Sequence, residues 1–348
     1  MKRFGKIISL ILVISLMTTV LAGCDKDKKT IVFTTGLSDT EVFAIDDSIC
    51  NLNEVMTYMV NIQNTYETGF GEGIFDGAAD GDLADDLKEL VMSRISRVKV
   101  LNLYAKRNDI ELTAADEKII SNAADAYYAS LTQKEKDYLN VTRDDIYKMY
   151  EEYALAHKVY DTITEDVTPE ISDDEARTVT TKHVLIKTYR EDYNGNRVDY
   201  TVGTKLDAYT RAADVQSLIN NGGDIDEIIA KYSEDDITGY SLRRGDLNNS
   251  YEIAAFDLGK DEVSDIIETT EGYYVIKCIN NYDMSQTEEN KKAIIEDMKK
   301  EAFMTEYNSF ISTLTGNMNE ELWESVELNH DPEITTSGFF KFYDESGI

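Results

Sequence analysis

The chain has 348 residues, 42% of them hydrophobic, and a formal net charge of -32 from 35 basic and 67 acidic side chains. So acidic a body repels phosphate backbones and anionic lipid surfaces, which excludes nucleic acid as a partner. The hydrophobic share is enough for a sizeable core and the length suggests two domains, while Pro169 and Pro332 are too few for a proline-rich linker.

Lys2, Arg3 and Lys6 precede an apolar run from Ile7 to Val20, and Leu21-Ala22-Gly23-Cys24 follows it. This is the pattern of a secretory signal over residues 1–23 with a lipobox, in which Cys24 becomes the lipid-bearing first residue of the mature protein. At 1.5 Å per residue the run makes a helix of about 21 Å, short of a hydrocarbon layer roughly 30 Å thick. The remainder is therefore expected on the extracytoplasmic face of the cell membrane, held there by the lipid. Cys50 and Cys278 read as buried free thiols. No CxxC or mixed Cys/His cluster occurs and the three histidines are scattered, so neither a metal site nor a cofactor is expected.

Ile31 to Phe33 suggests a brief strand, after which helical periodicity takes over. Leu52, Val55, Met56, Met59 and Val60 recur at three- and four-residue steps, as do Leu83, Leu87, Leu90, Val91, Ile95 and Val98. Five glycines between Gly69 and Gly81 predict a loop between these two helices. A third helix is predicted from Ala114 to about Leu131. A long fourth begins near Thr142, whose hydroxyl can cap it ahead of Asp144 and Asp145, and runs along Ile146, Met149, Tyr150, Tyr153, Ala156, Val159, Tyr160 and Ile163 to end before Pro169.

From Thr178 to Tyr189 the pattern changes to β-branched alternation, the mark of a strand. Asn194-Gly195 is a hairpin turn within residues 189–204. Helices are predicted over Leu206–Asn220 and Ile225–Tyr232, a short one over Ile253–Leu258, and closing strands over Glu262–Thr269 and Tyr273–Asn280. Beyond Tyr282 a long amphipathic helix through Ala293, Ile294, Met298, Ala302, Phe303, Tyr307 and Phe310 is expected to pack back on the helices before Pro169. Trp323 and the patch Phe339-Phe340-Phe342-Tyr343 need a core to cover them, or a client.

Six short phrases stand in a fixed order between Lys182 and Lys277. They are Lys182-His183-Val184-Leu185-Ile186, Ala230-Lys231-Tyr232-Ser233-Glu234-Asp235, Arg244-Gly245-Asp246-Leu247, Ala254-Ala255-Phe256-Asp257-Leu258, Glu262-Val263-Ser264 and Gly272-Tyr273-Tyr274-Val275-Ile276-Lys277. Together they resemble a parvulin-type peptidyl-prolyl isomerase domain. The whole arrangement is similar to extracytoplasmic foldases of the PrsA and SurA type. The resemblance implies an α+β fold, a parvulin-like small antiparallel sheet with surrounding helices inserted between segments of an all-α chaperone module. The division expected is a helical module over 24–177, the parvulin-like domain over 178–283, and a helix and tail over 284–348 packing back on the module.

The same resemblance implies the site. His183 matches the family's first histidine, Asp235 the central position where parvulins carry cysteine or aspartate, and Thr269 a threonine of the same network. Leu247, Tyr251 and Phe256 match the apolar pocket. Two departures stand out. The family's second histidine is replaced by Tyr274, and only Asn248, Asn249 and Ser250 separate Leu247 from Tyr251, where the family carries a longer loop with a methionine. Two functions remain open: a lipid-anchored foldase that isomerises X-Pro bonds in unfolded or newly secreted proteins, or a parvulin-like chaperone, catalytically weak or inactive, that holds such clients. A solute-binding lipoprotein would need two lobes with parallel strands, which the long helices before Pro169 oppose. Oligomeric state is not legible.

Overall fold

The computed structural model describes residues 36–71, 73–75, 82–247 and 249–346. The signal segment, Cys24 and the strand expected at Ile31–Phe33 lie outside the described residues. In chain order the elements are β1 (Glu41–Ile45), β2 (Ser48–Asn51), α1 (Leu52–Phe70), α2 (Asp82–Arg107), α3 (Ala114–Ser130), α4 (Gln133–Leu139), α5 (Arg143–Thr164) and α6 (Asp173–Ala176). There follow β3 (Val179–Lys187), β4 (Tyr189–Glu191), β5 (Arg197–Asp199), α7 (Val202–Asn220), α8 (Ile225–Tyr232), β6 (Ser241–Leu242), α9 (Ser250–Asp257), β7 (Ile267–Glu268) and β8 (Gly272–Asn280). The chain closes with α10 (Met284–Ile311), β9 (Gly316–Met318), α11 (Glu320–Glu324) and α12 (Phe339–Ser346). Its described residues divide into two compact units, one within 36–159 and 309–346 and the other within 160–308. Both cuts fall inside helices, α5 and α10.

The first unit is mainly helical. Val55, Tyr58, Met59 and Ile62 of α1 meet Val91 and Ile95 of α2, Ile120 and Tyr127 of α3, and Ile146, Met149 and Tyr150 of α5 in one buried cluster, the product of apolar residues recurring at helical spacing. Thr142 starts α5 as its hydroxyl suggests, accepting the Asp145 N–H at 3.2 Å while the Asp145 carboxylate takes the Thr142 N–H at 2.8 Å. The unit also carries a three-stranded antiparallel sheet in the order β2-β1-β9, which pairs Phe43 with Met318. The module is thus not all helix. Strands of three to five residues, joined across most of the chain, leave too little alternation to read.

The second unit is built on an antiparallel sheet in the order β6-β3-β8-β7, with β4 and β5 forming a separate hairpin. β3 pairs with β8 so that His183 faces Ile276 and Leu185 faces Tyr274. Because side chains alternate across a strand, the sheet has two apolar faces. On one, Val184, Ile186, Tyr273 and Val275 are covered by Ala208, Ala212, Val215 and Ile219 of α7 and Ile228 and Ile229 of α8. On the other, Val179, Leu185, Tyr274, Ile276 and Cys278 meet Tyr251, Ala255 and Phe256 of α9. His183 lies on this second face. The N-terminal part of α10 is tied into the same unit, where Asn290 donates to the Ala176 carbonyl at 2.7 Å and to Thr178 Oγ1 at 2.9 Å.

Candidate active site

The site grows out of the middle of β3. Its backbone pairs on one side with β8 and on the other with the segment after α8, where the His183 N–H donates to the Thr238 carbonyl at 3.0 Å and the Thr181 N–H to the Tyr240 carbonyl at 2.8 Å. Ser233 and Glu234 extend this pairing, with the Glu234 N–H donating to the Leu185 carbonyl at 2.8 Å and the Leu185 N–H to Ser233 Oγ at 3.2 Å. The segment from Asp235 to Tyr240 is thereby laid along the strand that carries His183. Residues some fifty positions apart in sequence become neighbours.

The imidazole of His183 is 0% exposed. Three tyrosine rings pack around it, Tyr274 at 5.0 Å, Tyr251 at 5.3 Å and Tyr240 at 5.3 Å between centroids. Tyr274 and Tyr251 stand edge-on to it, the favoured arrangement for aromatic pairs. Nδ1 lies 2.8 Å from the Tyr251 hydroxyl, which lies 2.9 Å from Thr181 Oγ1. Nε2 faces Asp235, whose Oδ2 approaches to 3.5 Å. That is long for a hydrogen bond, and Nε2 is one of the buried polar atoms left without a hydrogen-bond partner. Burial lowers the His183 pKa below its ordinary value of 6.5, although the Asp235 carboxylate pulls it up. The ring is neutral at pH 7. Burial also raises the phenols of Tyr251 and Tyr274, with the Asp235 charge adding to it.

The residues proposed from sequence separate into those that meet and those that do not. His183, Asp235, Tyr251 and Tyr274 come together in one packed cluster on the second face of the sheet. The Asp235 side chain is 19% exposed and forms the polar edge of the cluster toward solvent. Leu247 is half-buried against the same apolar cluster, its turn pinned by the Glu252 carboxylate, which takes the Gly245 and Leu247 N–H groups at 2.8 Å each. Asn249 caps α9 by accepting the Glu252 N–H at 3.1 Å. Gly245, Leu247 and Asn249 are thus each bonded to Glu252 at the entry into the helix that carries Tyr251. Phe256 is buried farther along, with the guanidinium groups of Arg244 and Arg177 over its ring at 4.5 and 5.0 Å. Thr269 stands elsewhere. Its hydroxyl donates to the Gly272 carbonyl at 3.1 Å and accepts the Gly272 N–H at 3.3 Å, which closes the turn between β7 and β8.

Two members of the cluster escaped the sequence reading. Thr181 lies two residues before His183 and so on the same face of β3, a period-two signal that could have found it. Tyr240 had no such signal, because it enters only through the irregular segment alongside β3. Among the described residues no group of three or more His, Cys, Asp or Glu side chains is arranged to hold a metal ion.

Residues 183–280 match the family model of the PPIC-type PPIase, or rotamase, domain. The chain is 26% identical over 204 residues to foldase protein PrsA 3 of Bacillus cereus, an alignment covering 55% of this chain and 66% of that protein. It is 31% identical over 98 residues to foldase protein PrsA 3 of Bacillus anthracis, covering 26% of this chain and 34% of that protein. The matched stretches thus span just under two thirds and about one third of those relatives. The crystal structure of a peptidylprolyl isomerase (PrsA) from Bacillus cereus aligns over 88% of this chain and 100% of its own, with 14% identity and a TM-score of 0.35. Residues 183–280 thus match the PPIC-type PPIase domain, in a chain similar to the PrsA foldases.

Proposed function

We propose that the protein is an extracytoplasmic foldase that accelerates cis/trans isomerisation of X-Pro bonds in unfolded or newly secreted proteins. The observation that carries this reading is the approach of Asp235 to His183 on an apolar sheet face, inside the segment that matches the PPIC-type domain. Rotation about a peptide C–N bond faces a barrier of about 18–20 kcal/mol because resonance gives it partial double-bond character. Prolyl isomerisation unaided takes tens to hundreds of seconds. The twisted bond has less charge separation than the planar amide, so an apolar surface that excludes water favours it over the ground state. No covalent intermediate is needed. Because the imidazole is wholly buried, Asp235 is the polar group that meets the peptide, and His183 supports it from behind.

A second reading, a holding chaperone without turnover, draws support from the same burial. Tyr251 and Tyr274 pack directly against the buried imidazole, so His183 offers no surface to a client. A protease-coupled assay on a proline-containing peptide separates the two. The foldase reading expects a rate above buffer that falls about tenfold or more in Asp235→Ala, which corresponds to about 1.4 kcal/mol of barrier. A wild-type rate equal to buffer, with aggregation of an unfolded client still suppressed, would leave only the chaperone.

The membrane anchor rests on the sequence of the leader. Lys2, Arg3, Lys6 and the run to Val20 direct export, and Cys24 takes the lipid. No helix among the described residues is long and apolar enough to cross a membrane. Cys24→Ser is expected to move the protein from the membrane fraction to the soluble one on cell fractionation, and retention in the membrane would sink the lipid reading.

A further inference from the structure

The buried side of the site carries a polar chain that no composition or motif announces. Thr181, Tyr251 and His183 lie in series, with Oγ1 to hydroxyl at 2.9 Å and hydroxyl to Nδ1 at 2.8 Å. Thr181 Oγ1 accepts the Tyr240 N–H at 3.4 Å, which moors the chain to the backbone beside β3, and its single proton can go either to the Tyr251 oxygen at 2.9 Å or to the Tyr240 carbonyl at 3.3 Å; with the Tyr251 proton on Nδ1 it goes to Tyr251. At the other end Nε2 stands 3.5 Å from the Asp235 carboxylate, and the Ile237 backbone also acts on the ring.

A neutral imidazole has one proton to place, and the two ring nitrogens face unlike groups. If Nδ1 carried it, the Tyr251 hydroxyl would accept and turn its own proton to Thr181. A bare lone pair on the buried Nε2 would then confront the Asp235 carboxylate, and like partial charges repel. If Nε2 carries it, the N–H points toward Asp235 and Nδ1 is free to accept. The Tyr251 hydroxyl is the donor within reach.

We propose that Tyr251 is a positioning residue, whose hydroxyl, moored on Thr181, donates to Nδ1 and so holds His183 in the form that directs its Nε2–H at Asp235. Asp235, Tyr240, Tyr251 and Tyr274 are the titratable groups that face the ring, and of these Asp235 is the one carboxyl. The consequence is that the carboxylate at the edge of the cluster is oriented from inside the domain. A tyrosine does here, from the helix, what a second sheet histidine could do from β8, where Tyr274 now stands. The activity arm of this proposal rests on the foldase reading, whereas its spectroscopic arm does not.

The full chain has three histidines, His157, His183 and His330, so labelling histidine ring nitrogens with 15N gives a spectrum simple enough to assign with His183→Gln. At pH 7 wild-type His183 is expected as a neutral ring protonated at Nε2 alone. Tyr251→Phe keeps the ring packing and removes the hydroxyl. It should give a mixture of both protonated forms and lower kcat on a proline peptide about three- to tenfold, the worth of one net hydrogen bond, with KM unchanged. Thr181→Val should shift the spectrum in the same direction with less loss, and Thr181→Ser should restore it. If Tyr251→Phe is poorly folded, the two Thr181 variants carry the test alone. A wild-type ring protonated at Nδ1, or an unchanged ring spectrum in both Tyr251→Phe and Thr181→Val, overturns the proposal. Hydroxyl-dependent ring protonation in a wild type that turns over no proline would uphold the positioning and remove the foldase reading instead.

Discussion

Gly239 shows how single positions set this site. A Cβ built there would meet the Thr181 carbonyl oxygen at 2.0 Å and the Lys182 Cα at 2.9 Å, backbone atoms that cannot swing aside. Gly239→Ala is therefore expected to push the 235–240 segment off β3, break the hydrogen bonds of the His183 and Thr181 N–H groups, and cost about 1–3 kcal/mol or more. Urea unfolding followed by hydrogen exchange in 183–280 checks it, and a midpoint equal to wild type would refute the close approach. The same geometry explains what sequence could and could not disclose. His183 and Asp235 stand in recognisable phrases, so their meeting was readable. Tyr240 was not, because it comes to the ring only through a segment whose course depends on one missing side chain. Thr269 was placed by the resemblance alone, and its hydrogen bonds are spent on a turn where Gly272 has a φ of 145° and a Cβ would strike the Ile186 carbonyl. A motif match conveys order along the chain, and the turn geometry decides where the hydroxyl points.

At the scale of elements, legibility follows length. In the first unit the helices of 17 to 26 residues, α1 to α3 and α5, show their buried stripes directly, and in the second β3 and β8, nine residues each, show alternation. α4 has seven residues, too few for a stripe. Its one local mark is the reciprocal cap between Thr132 and Glu135, in which the Thr132 N–H donates to Glu135 Oε2 at 2.9 Å and the Glu135 N–H to Thr132 Oγ1 at 3.2 Å. The patch at residues 339–343 displays the reverse case, strong apolarity without a readable partner. Phe339 is 0% exposed and stacks on Tyr150 with centroids 4.4 Å apart. Its N–H donates to Asn61 Oδ1 at 3.0 Å, and its carbonyl accepts the Tyr150 hydroxyl at 2.5 Å. Composition announced that these rings need cover. Which helices supply it is a matter of long-range packing and leaves no trace in local spacing. The cuts between units likewise fall within α5 and α10, where neither composition nor a breaker marks them.

The two units of the molecule should respond to pH in opposite senses, each through one buried group. In the first unit Lys99 of α2 is shared by two carboxylates, Glu54 of α1 at 2.9 Å and Glu152 of α5 at 2.6 Å. Burial works against the Lys99 ammonium, but the two acids outweigh it and hold its pKa above the ordinary value. One cation cannot satisfy both acids. Glu152 is 31% exposed and keeps water, whereas the buried Glu54 is pushed up by burial to about 7 from 4.5, with Glu152 adding to the rise and Lys99 opposing it. A carboxyl whose folded pKa exceeds its unfolded one stabilises fully below about 4.5, and that contribution is lost as pH rises toward about 7. His183 in the second unit is depressed below 6.5 by burial. The unfolded chain therefore takes the proton first, and stability present above 6.5 is lost as pH falls toward the folded value. Between pH 5 and 7 the first unit should weaken and the second strengthen with rising pH, each by no more than about 1.4 kcal/mol per pH unit for one proton. Trp323, the single tryptophan, belongs to the first unit and reports its unfolding by fluorescence, while hydrogen exchange over 183–280 reports the second. Glu54→Gln should flatten the first slope alone and His183→Gln the second alone. Slopes of the same sign in both units, or slopes that survive these substitutions, would show that burial of these two groups does not govern the response.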